Sequence, residues 1–159
     1  MRLGCGRTFA GATIAAGLAA ALAGCASVPE PAPAPAPRPS ITSDMLVGNW
    51  GLASYHKDTD RVRTETAARG QCNKPYVIGK GPSGGVMMYQ ADEPKPQELV
   101  VKAAADGKTY IGPASDPAGG QLDREVVSFD NGEFVTQWVD PEVAGRYGTL
   151  VFARCAAKK

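Results

Sequence analysis

The chain has 159 residues, which is the length of a single domain. Its formal net charge of +1 excludes a general nucleic-acid binder, which needs a dense surplus of lysine and arginine. It also excludes an acidic disordered chain. The average hides two unusual segments, because residues 1–24 contain two arginines and no acid, and six of the 13 prolines fall within residues 29–39. Without residues 1–24 the chain carries 15 basic and 16 acidic residues.

The N-terminal segment has the three parts of an export signal. Arg2 and Arg7 form a positive start, and residues 8–23 are small or apolar and uncharged. Such a start, followed by a short apolar run and a small-residue cleavage site, is typical of a secretory signal peptide. The run is too short to span a bilayer, which takes about 20 apolar residues. Residues 1–24 are therefore predicted to be a signal peptide that is removed.

The end of this segment, Leu22-Ala23-Gly24-Cys25, resembles the lipobox of bacterial lipoproteins. The resemblance implies cleavage before Cys25, a diacylglyceryl thioether on its sulfur and acylation of its new amino group. The next residue is Ala26 rather than aspartate, which in Gram-negative lipoproteins implies transfer to the outer membrane. The expected partner is thus a membrane, held through the lipid anchor, with the protein facing the periplasm. The alternative is an ordinary signal peptide, or an alanine-rich helix, in which Cys25 is incidental.

Residues 25–43 contain the alternating prolines. Proline has no amide hydrogen and a fixed φ, so this segment forms neither a helix nor a paired strand. At about 3.1 Å per residue in polyproline II, residues 29–39 give a semi-rigid spacer of roughly 34 Å. The alternative is a proline-rich ligand for another domain. The predicted organisation is a signal peptide (1–24), a lipidated tether (25–43) and one folded domain (44–159).

The folded domain consists of short apolar or alternating runs separated by Gly, Pro, Asn and Asp. Residues 98–105 are ambiguous, because Pro96 could start a short helix there, and no other helical pattern exceeds two turns. This spacing predicts an all-β fold, a small antiparallel up-and-down β-barrel or sandwich of about eight strands. The predicted strands are Leu46–Tyr55, Val62–Thr66, Tyr76–Lys80, Val86–Ala91, Glu98–Ala104, Thr109–Ile111, Glu125–Phe129, Phe134–Val139 and Tyr147–Arg154.

The clearest hairpin surrounds Asn131-Gly132, a pair that favours a two-residue type I′ turn. A two-residue loop places Phe129 opposite Phe134 and Val127 opposite Thr136. It also places two acids, Asp130 and Glu133, opposite each other. A three-residue loop with a bulge remains the alternative.

Cys72 and Cys155 are the two cysteines left after the signal peptide and the lipid site are assigned. In an oxidising compartment they are predicted to form a disulfide. A metal site and a reactive thiol are the alternatives. The metal site lacks partners, since His56 is the only histidine and no Cys-x-x-Cys spacing exists. We expect neither a metal nor a cofactor.

Gly48-Asn49-Trp50 at the first predicted strand and Arg154 at the end of the last resemble the start and end of calycin barrels, which include lipocalins. The resemblance implies that Trp50 plugs one end of the barrel and that Arg154 packs across it, as an indole face and a guanidinium do favourably. The alternative is a core tryptophan without family meaning. Small bacterial inhibitors of secreted metalloproteases also begin with Gly-x-Trp and carry one disulfide. Their two cysteines lie in the first half of the domain, unlike Cys155.

No catalytic constellation is evident. The single His56 is predicted to be an exposed loop residue, and the acids are scattered. Residues 79–85 are glycine-rich but lack the spacing of a phosphate loop. The prediction is a non-enzyme that binds a partner protein or a small apolar ligand. The alternatives are an inhibitor of a secreted protease or cell-wall lysing enzyme, and a structural factor in envelope assembly. A hollow barrel interior would favour the ligand, and a filled one the other functions.

Overall fold

A computed structural model describes residues 38–130 and 132–156. The predicted signal peptide, Cys25 and most of the tether lie outside the described residues. The described part contains eight strands and three short α-helices. The strands are β1 (Gly48–Tyr55), β2 (Tyr76–Lys80), β3 (Val86–Tyr89), β4 (Pro96–Ala103), β5 (Thr109–Gly112), β6 (Arg124–Asp130), β7 (Glu133–Trp138) and β8 (Thr149–Arg154). The helices are α1 (Ser43–Leu46), α2 (Arg61–Gly70) and α3 (Pro141–Tyr147), and 3-10 turns occupy Asp58–Asp60 and Gln71–Asn73.

The eight strands form a closed barrel in sequence order, β1 to β8, and every neighbouring pair is antiparallel. β8 closes the barrel by pairing with β1, from Trp50 opposite Arg154 to Tyr55 opposite Thr149. Closure gives every strand a hydrogen-bonded neighbour on both sides, which is how barrels avoid free edge strands. The predicted all-β antiparallel fold is confirmed, and of the two expected architectures the chain adopts the barrel.

Side chains fill the interior of this barrel. Alternate residues of each strand point inward, and three of the aromatic ones form a compact group. Trp50 meets Phe134 edge-on with 4.6 Å between ring centroids, and Phe134 stacks on Phe152 at 4.2 Å. The other fully buried residues of this interior cluster are Leu46, Val86, Met88, Leu99 and Ile111, with Ile41 and Ile78 almost fully buried. The described interior is therefore packed rather than hollow.

The β6–β7 hairpin follows the predicted register only near its turn. Phe129 lies opposite Phe134 and Asp130 opposite Glu133, as expected. The expected pairing of Val127 with Thr136 is wrong, because Val126 takes that place and the register shifts between Val126 and Ser128. A β-bulge of this kind leaves one extra residue on one strand. Gly132 has the positive φ (77°) that a tight turn requires, and Asn131 lies outside the described residues.

The predicted strand at residues 62–66 is wrong, because this segment is part of helix α2. Its alternation of β-branched and charged residues suggested a strand, yet Val62 is 74% exposed and contributes nothing to the core. The face that packs has helical spacing, with Thr64 and Ala68 buried against the outside of the barrel. An ion pair between Arg61 and Glu65 adds helical i,i+4 support.

In three further segments the secondary structure resolves or corrects what the sequence predicted. The ambiguous residues near 98–105 form strand β4, which pairs with β3 and β5. Strand β1 starts two residues later than predicted, at Gly48, because Leu46 is the last residue of helix α1. Strand β8 likewise starts later than predicted, at Thr149, because Tyr147 is the last residue of helix α3. Helix α3 has a strong start, with the Asp140 carboxylate accepting from two backbone amides and Pro141 at the first turn.

The two ends of the barrel are built differently. The chain before β1 covers one end, where Ile41 and Leu46 join the core and the Ser40 amide donates to the Thr109 hydroxyl at 3.1 Å. Packing thus begins a few residues before the predicted boundary at residue 44. At the opposite end lie the longer connections, residues 56–75, 90–95, 113–123 and 139–148, and we call this end the mouth. Within the described ranges, none of the helices has the length and hydropathy of a membrane-spanning segment.

Candidate binding pocket at the barrel mouth

The structure brings together Trp50 and Arg154, the pair suggested by the sequence. The Arg154 guanidinium carbon lies 4.1 Å from the Trp50 ring centroid. The indole Nε1 donates to the Leu46 carbonyl oxygen at 2.7 Å, and the guanidinium donates to the carbonyls of Met45 and Val47. Both residues thus fix helix α1 over the end opposite the mouth. Helix α1 and the residues just before it thus seal this end in the part of the chain that the structure describes.

The predicted disulfide between Cys72 and Cys155 is confirmed. It lies on the outside of the barrel and joins the 3-10 turn after α2 to the residue that follows β8. Cys72 therefore follows helix α2, in the region where the sequence predicted a strand at residues 62–66. Its place away from the mouth makes it a structural link between α2 and the barrel wall.

A pocket of about 140 Å³ opens at the mouth. Its floor includes Trp138 of β7, and its walls come from three connections that converge there. The β3–β4 connection contributes Gln90, the β5–β6 connection Leu122, and helix α3 Val143. Pockets that hold drug-sized ligands measure roughly 300–1,000 Å³. This pocket accordingly suits a small molecule.

A charged cluster on the surface ties two of these walls together. Both guanidinium nitrogens of Arg146 on α3 donate to the Asp92 carboxylate, at 3.1 and 2.7 Å, and the Tyr147 hydroxyl donates to it at 2.6 Å. These hydrogen bonds, Tyr147 first and Arg146 second, lower the pKa of Asp92. Asp92 also has a positive φ of 62°, which a residue with a short polar side chain tolerates better than most. The β3–β4 connection is therefore anchored to α3.

Behind the pocket floor lies a buried arginine. Arg124 of β6 is 2% exposed, and its guanidinium carbon lies 4.2 Å from the Trp138 ring centroid. It donates from Nη2 to the Tyr89 carbonyl oxygen and, at 3.3 Å, to Oε1 of Gln90. Burial lowers the pKa of Arg124, and the nearby Tyr76 hydroxyl opposes that effect. Burial also raises the pKa of Tyr76, opposed by the charge of Arg124.

Three polar atoms on adjacent inward positions of β6 and β7 are buried without a hydrogen-bond partner among the described residues. They are Nε of Arg124, Oγ1 of Thr136 and Nε1 of Trp138. Arg124 pairs directly with Trp138 across the two strands, and Thr136 is two residues along β7. An unsatisfied buried polar group costs about 1–3 kcal/mol. These three atoms leave unused hydrogen-bonding capacity at one place behind the pocket.

A second concave surface lies on the barrel wall, and we call it the side groove. It has a volume of about 620 Å³ and is open to solvent. Val77 of β2, Met87 and Tyr89 of β3 and Pro96 of β4 line it, with Lys74 at one side. Val77 is 58% exposed and Tyr89 44%. The groove is thus an accessible, mainly apolar surface.

The remaining sequence expectations concern chemistry. His56 is exposed, as predicted. Across residues 38–130 and 132–156, no group of three or more His, Cys, Asp or Glu side chains is placed to hold a metal ion.

Sequence reasoning missed Arg124 and Trp138. The signal for Trp138 was present, since it continues the alternation of Phe134 and Thr136 along β7. The signal for Arg124 was hidden, because its inward position depends on the bulge in β6.

No family model, curated protein or solved structure matches this chain.

Proposed function

We propose that this chain is a non-catalytic lipoprotein of the bacterial outer membrane that presents its barrel to the periplasm and binds a partner protein through the side groove. The anchor is the acylated Cys25, and the proline-rich residues 29–39 hold the barrel away from the membrane. Three acyl chains at about 0.8 kcal/mol per buried methylene would make the attachment nearly permanent.

The packed interior is the observation that carries the choice of a protein partner. A barrel that carries an apolar ligand needs an internal cavity, whereas here Trp50, Phe134 and Phe152 fill the centre and none of the three is more than 2% exposed. The mouth pocket of about 140 Å³ is too small for a lipid. The available apolar surface is outside, in the side groove.

The side groove has the composition of a protein-binding surface. Interface centres are enriched in tyrosine, methionine and other apolar residues and depleted in charge. Tyr89, Met87 and Val77 meet that description. The groove also lies on β2 and β3, which helix α2 leaves uncovered because α2 packs on β1 and β8.

Metabolic labelling with palmitate tests the anchor. Cys25→Ala should abolish labelling, and Cys5→Ala, which changes a cysteine inside the signal peptide, should leave it unchanged. Equal labelling of Cys25→Ala and the natural chain would contradict the lipoprotein assignment.

Site-specific photocrosslinking in cells tests the groove. A photoreactive residue at Val77 should give a discrete crosslinked species in the envelope fraction. The matched control is Val127, which is 49% exposed on β6, at the opposite side of the barrel. The same species from both positions, or none from Val77, would rule out the groove as the partner surface.

A further inference from the structure

A buried arginine lies beside the mouth pocket. Arg124 lies at the wall of the barrel interior with no carboxylate among its contacts in the described residues. Buried charges in proteins are ordinarily paired, because an unpaired one carries a large desolvation cost. The Tyr89 carbonyl, the Gln90 amide oxygen, the Trp138 ring and the Tyr76 hydroxyl that surround this guanidinium are neutral groups.

The unsatisfied atoms around this arginine share one property, the ability to donate. Nε of Arg124 and Nε1 of Trp138 are donors only, and the Thr136 hydroxyl is able to donate. A molecule that satisfies them must be rich in acceptors. An anion also neutralises the guanidinium, so it meets the hydrogen-bonding and the charge requirement together.

The balance of charge limits the anion to a single negative charge. Arg124 is the one cation in contact with this cluster in the described chain, while Glu93 and Asp140 line the rim of the pocket. The Asp140 carboxylate already accepts from the amides of Glu142 and Val143, at 2.8 and 3.1 Å. A dianion would leave a buried excess charge and meet repulsion at the rim, whereas a monoanion is neutralised by Arg124.

The pocket supplies the remaining features of the ligand. Leu122, Val143 and Trp138 are apolar lining residues that suit a short hydrocarbon group. Gln90 lines the pocket and also contacts Arg124, and its Oε1 atom lies at a long 3.3 Å from Nη2. The side chain of Gln90 therefore occupies the place that a carboxylate oxygen would take.

We propose that the barrel mouth is a binding site for a small monocarboxylate with a short apolar group, and that Arg124 receives its carboxylate beside Gln90 and Trp138.

Nuclear magnetic resonance of the indole groups tests this site, because the two tryptophans report on opposite ends of the barrel. The Trp138 Nε1–H is unpartnered at the mouth, whereas the Trp50 Nε1–H is bonded to Leu46 at the sealed end. The chain as produced in cells, labelled with nitrogen-15 and held in a non-ionic detergent, is titrated with sodium propionate. The Trp138 resonance should shift saturably at millimolar concentrations while the Trp50 resonance stays in place.

Three control titrations fix the ligand class. Propionamide has the shape of propionate without its charge, sodium sulfate carries a second charge, and sodium chloride controls for ionic strength. None of them should reproduce the saturable shift of Trp138. An equal response to propionamide or sulfate, an equal shift of Trp50, or no response to propionate would each overturn the proposal.

A matched pair of variants tests the role of Arg124 without removing it. Gln90→Glu places a carboxylate beside the guanidinium, so the response to propionate should be lost and the melting temperature should rise. Gln137→Glu adds the same charge to an exposed residue on the outer face of β7, away from the residues that line the pocket, and should keep the response. A Gln90→Glu chain that binds propionate like the natural chain would show that Arg124 is not the receptor.

Discussion

At the scale of single residues, Gly51 decides how closely helix α2 approaches the barrel. A Cβ atom at this position would lie 1.8 Å from the backbone oxygen of Ala68, far inside van der Waals contact. The absence of a side chain on the outer face of β1 therefore allows the helix backbone to rest on the strand. Ala68, fully buried at the contact, is the small residue on the other side.

Gly51→Ala should consequently destabilise the protein by about 1–3 kcal/mol, the usual cost of overpacking. The matched control is Gly70→Ala at the end of α2, where a new Cβ meets nothing within 4 Å. Because Gly70 has helical φ and ψ, its replacement should stabilise by about 0.5–1 kcal/mol. Urea unfolding measures both, and a Gly51→Ala midpoint at or above that of Gly70→Ala would contradict the contact.

At the scale of elements, residues 113–123 form a long connection that a lysine organises from the barrel wall. The Lys102 ammonium on β4 donates to the carbonyl oxygens of Pro113 at 3.1 Å and Asp116 at 3.0 Å. It also pairs with Asp123 at 2.6 Å, and that carboxylate is fully buried. The ammonium group of Lys102 thus holds residues 113–123, the connection that forms one wall of the mouth pocket.

Lys102→Met should destabilise the protein by about 3–5 kcal/mol, because it leaves the buried carboxylate of Asp123 without its counter-ion. The control is Lys108→Met, which removes an exposed ion pair with Glu125 and should cost less than about 1 kcal/mol. Chemical denaturation of the two variants compares the free energies of unfolding. Equal losses would mean that Lys102 is an ordinary surface lysine.

Elements also show where sequence reasoning succeeds. Strands with strong alternation, such as β7, and the turn at Gly132 were predicted because their local pattern and their tertiary role agree. Helix α2 was missed because its stability comes from tertiary contact with β1 and β8 rather than from its own sequence, a frequent limit of local propensity. The candidate site was missed for the same reason, since the mouth pocket is assembled from three separate connections.

At the scale of the whole molecule, the disulfide links parts of the chain 83 residues apart. The barrel closes through β1 and β8, so most of the folded chain lies between the two cysteines. The general architecture could be predicted because the number of strands, the spacing of turns and the number of cysteines are properties of the whole domain that can be read from the sequence. The choice of barrel over sandwich depends on the pairing of β1 with β8, which no local pattern reveals.

Replacement of both cysteines by serine (Cys72→Ser with Cys155→Ser) should lower the free energy of unfolding by up to about 4.5 kcal/mol, the loop-entropy value for a loop of this length. Guanidinium unfolding with and without a reductant measures it. The reductant should destabilise the natural chain by a similar amount and leave the double variant unchanged. An unchanged midpoint in the reduced natural chain would show that the link contributes little.

The bulge in β6 sets the sign of the charge that the barrel encloses. With regular pairing beyond the Phe129–Phe134 pair, Glu125 would stand opposite Trp138 and face inward. The extra residue at Val127 advances the strand by one position, so Arg124 faces inward and Glu125 pairs with Gln137 on the outside. Deletion of Val127 would therefore remove the bulge and keep Arg124 opposite Trp138, whereas a regular ladder that includes Val127 would enclose the carboxylate of Glu125 in place of the guanidinium.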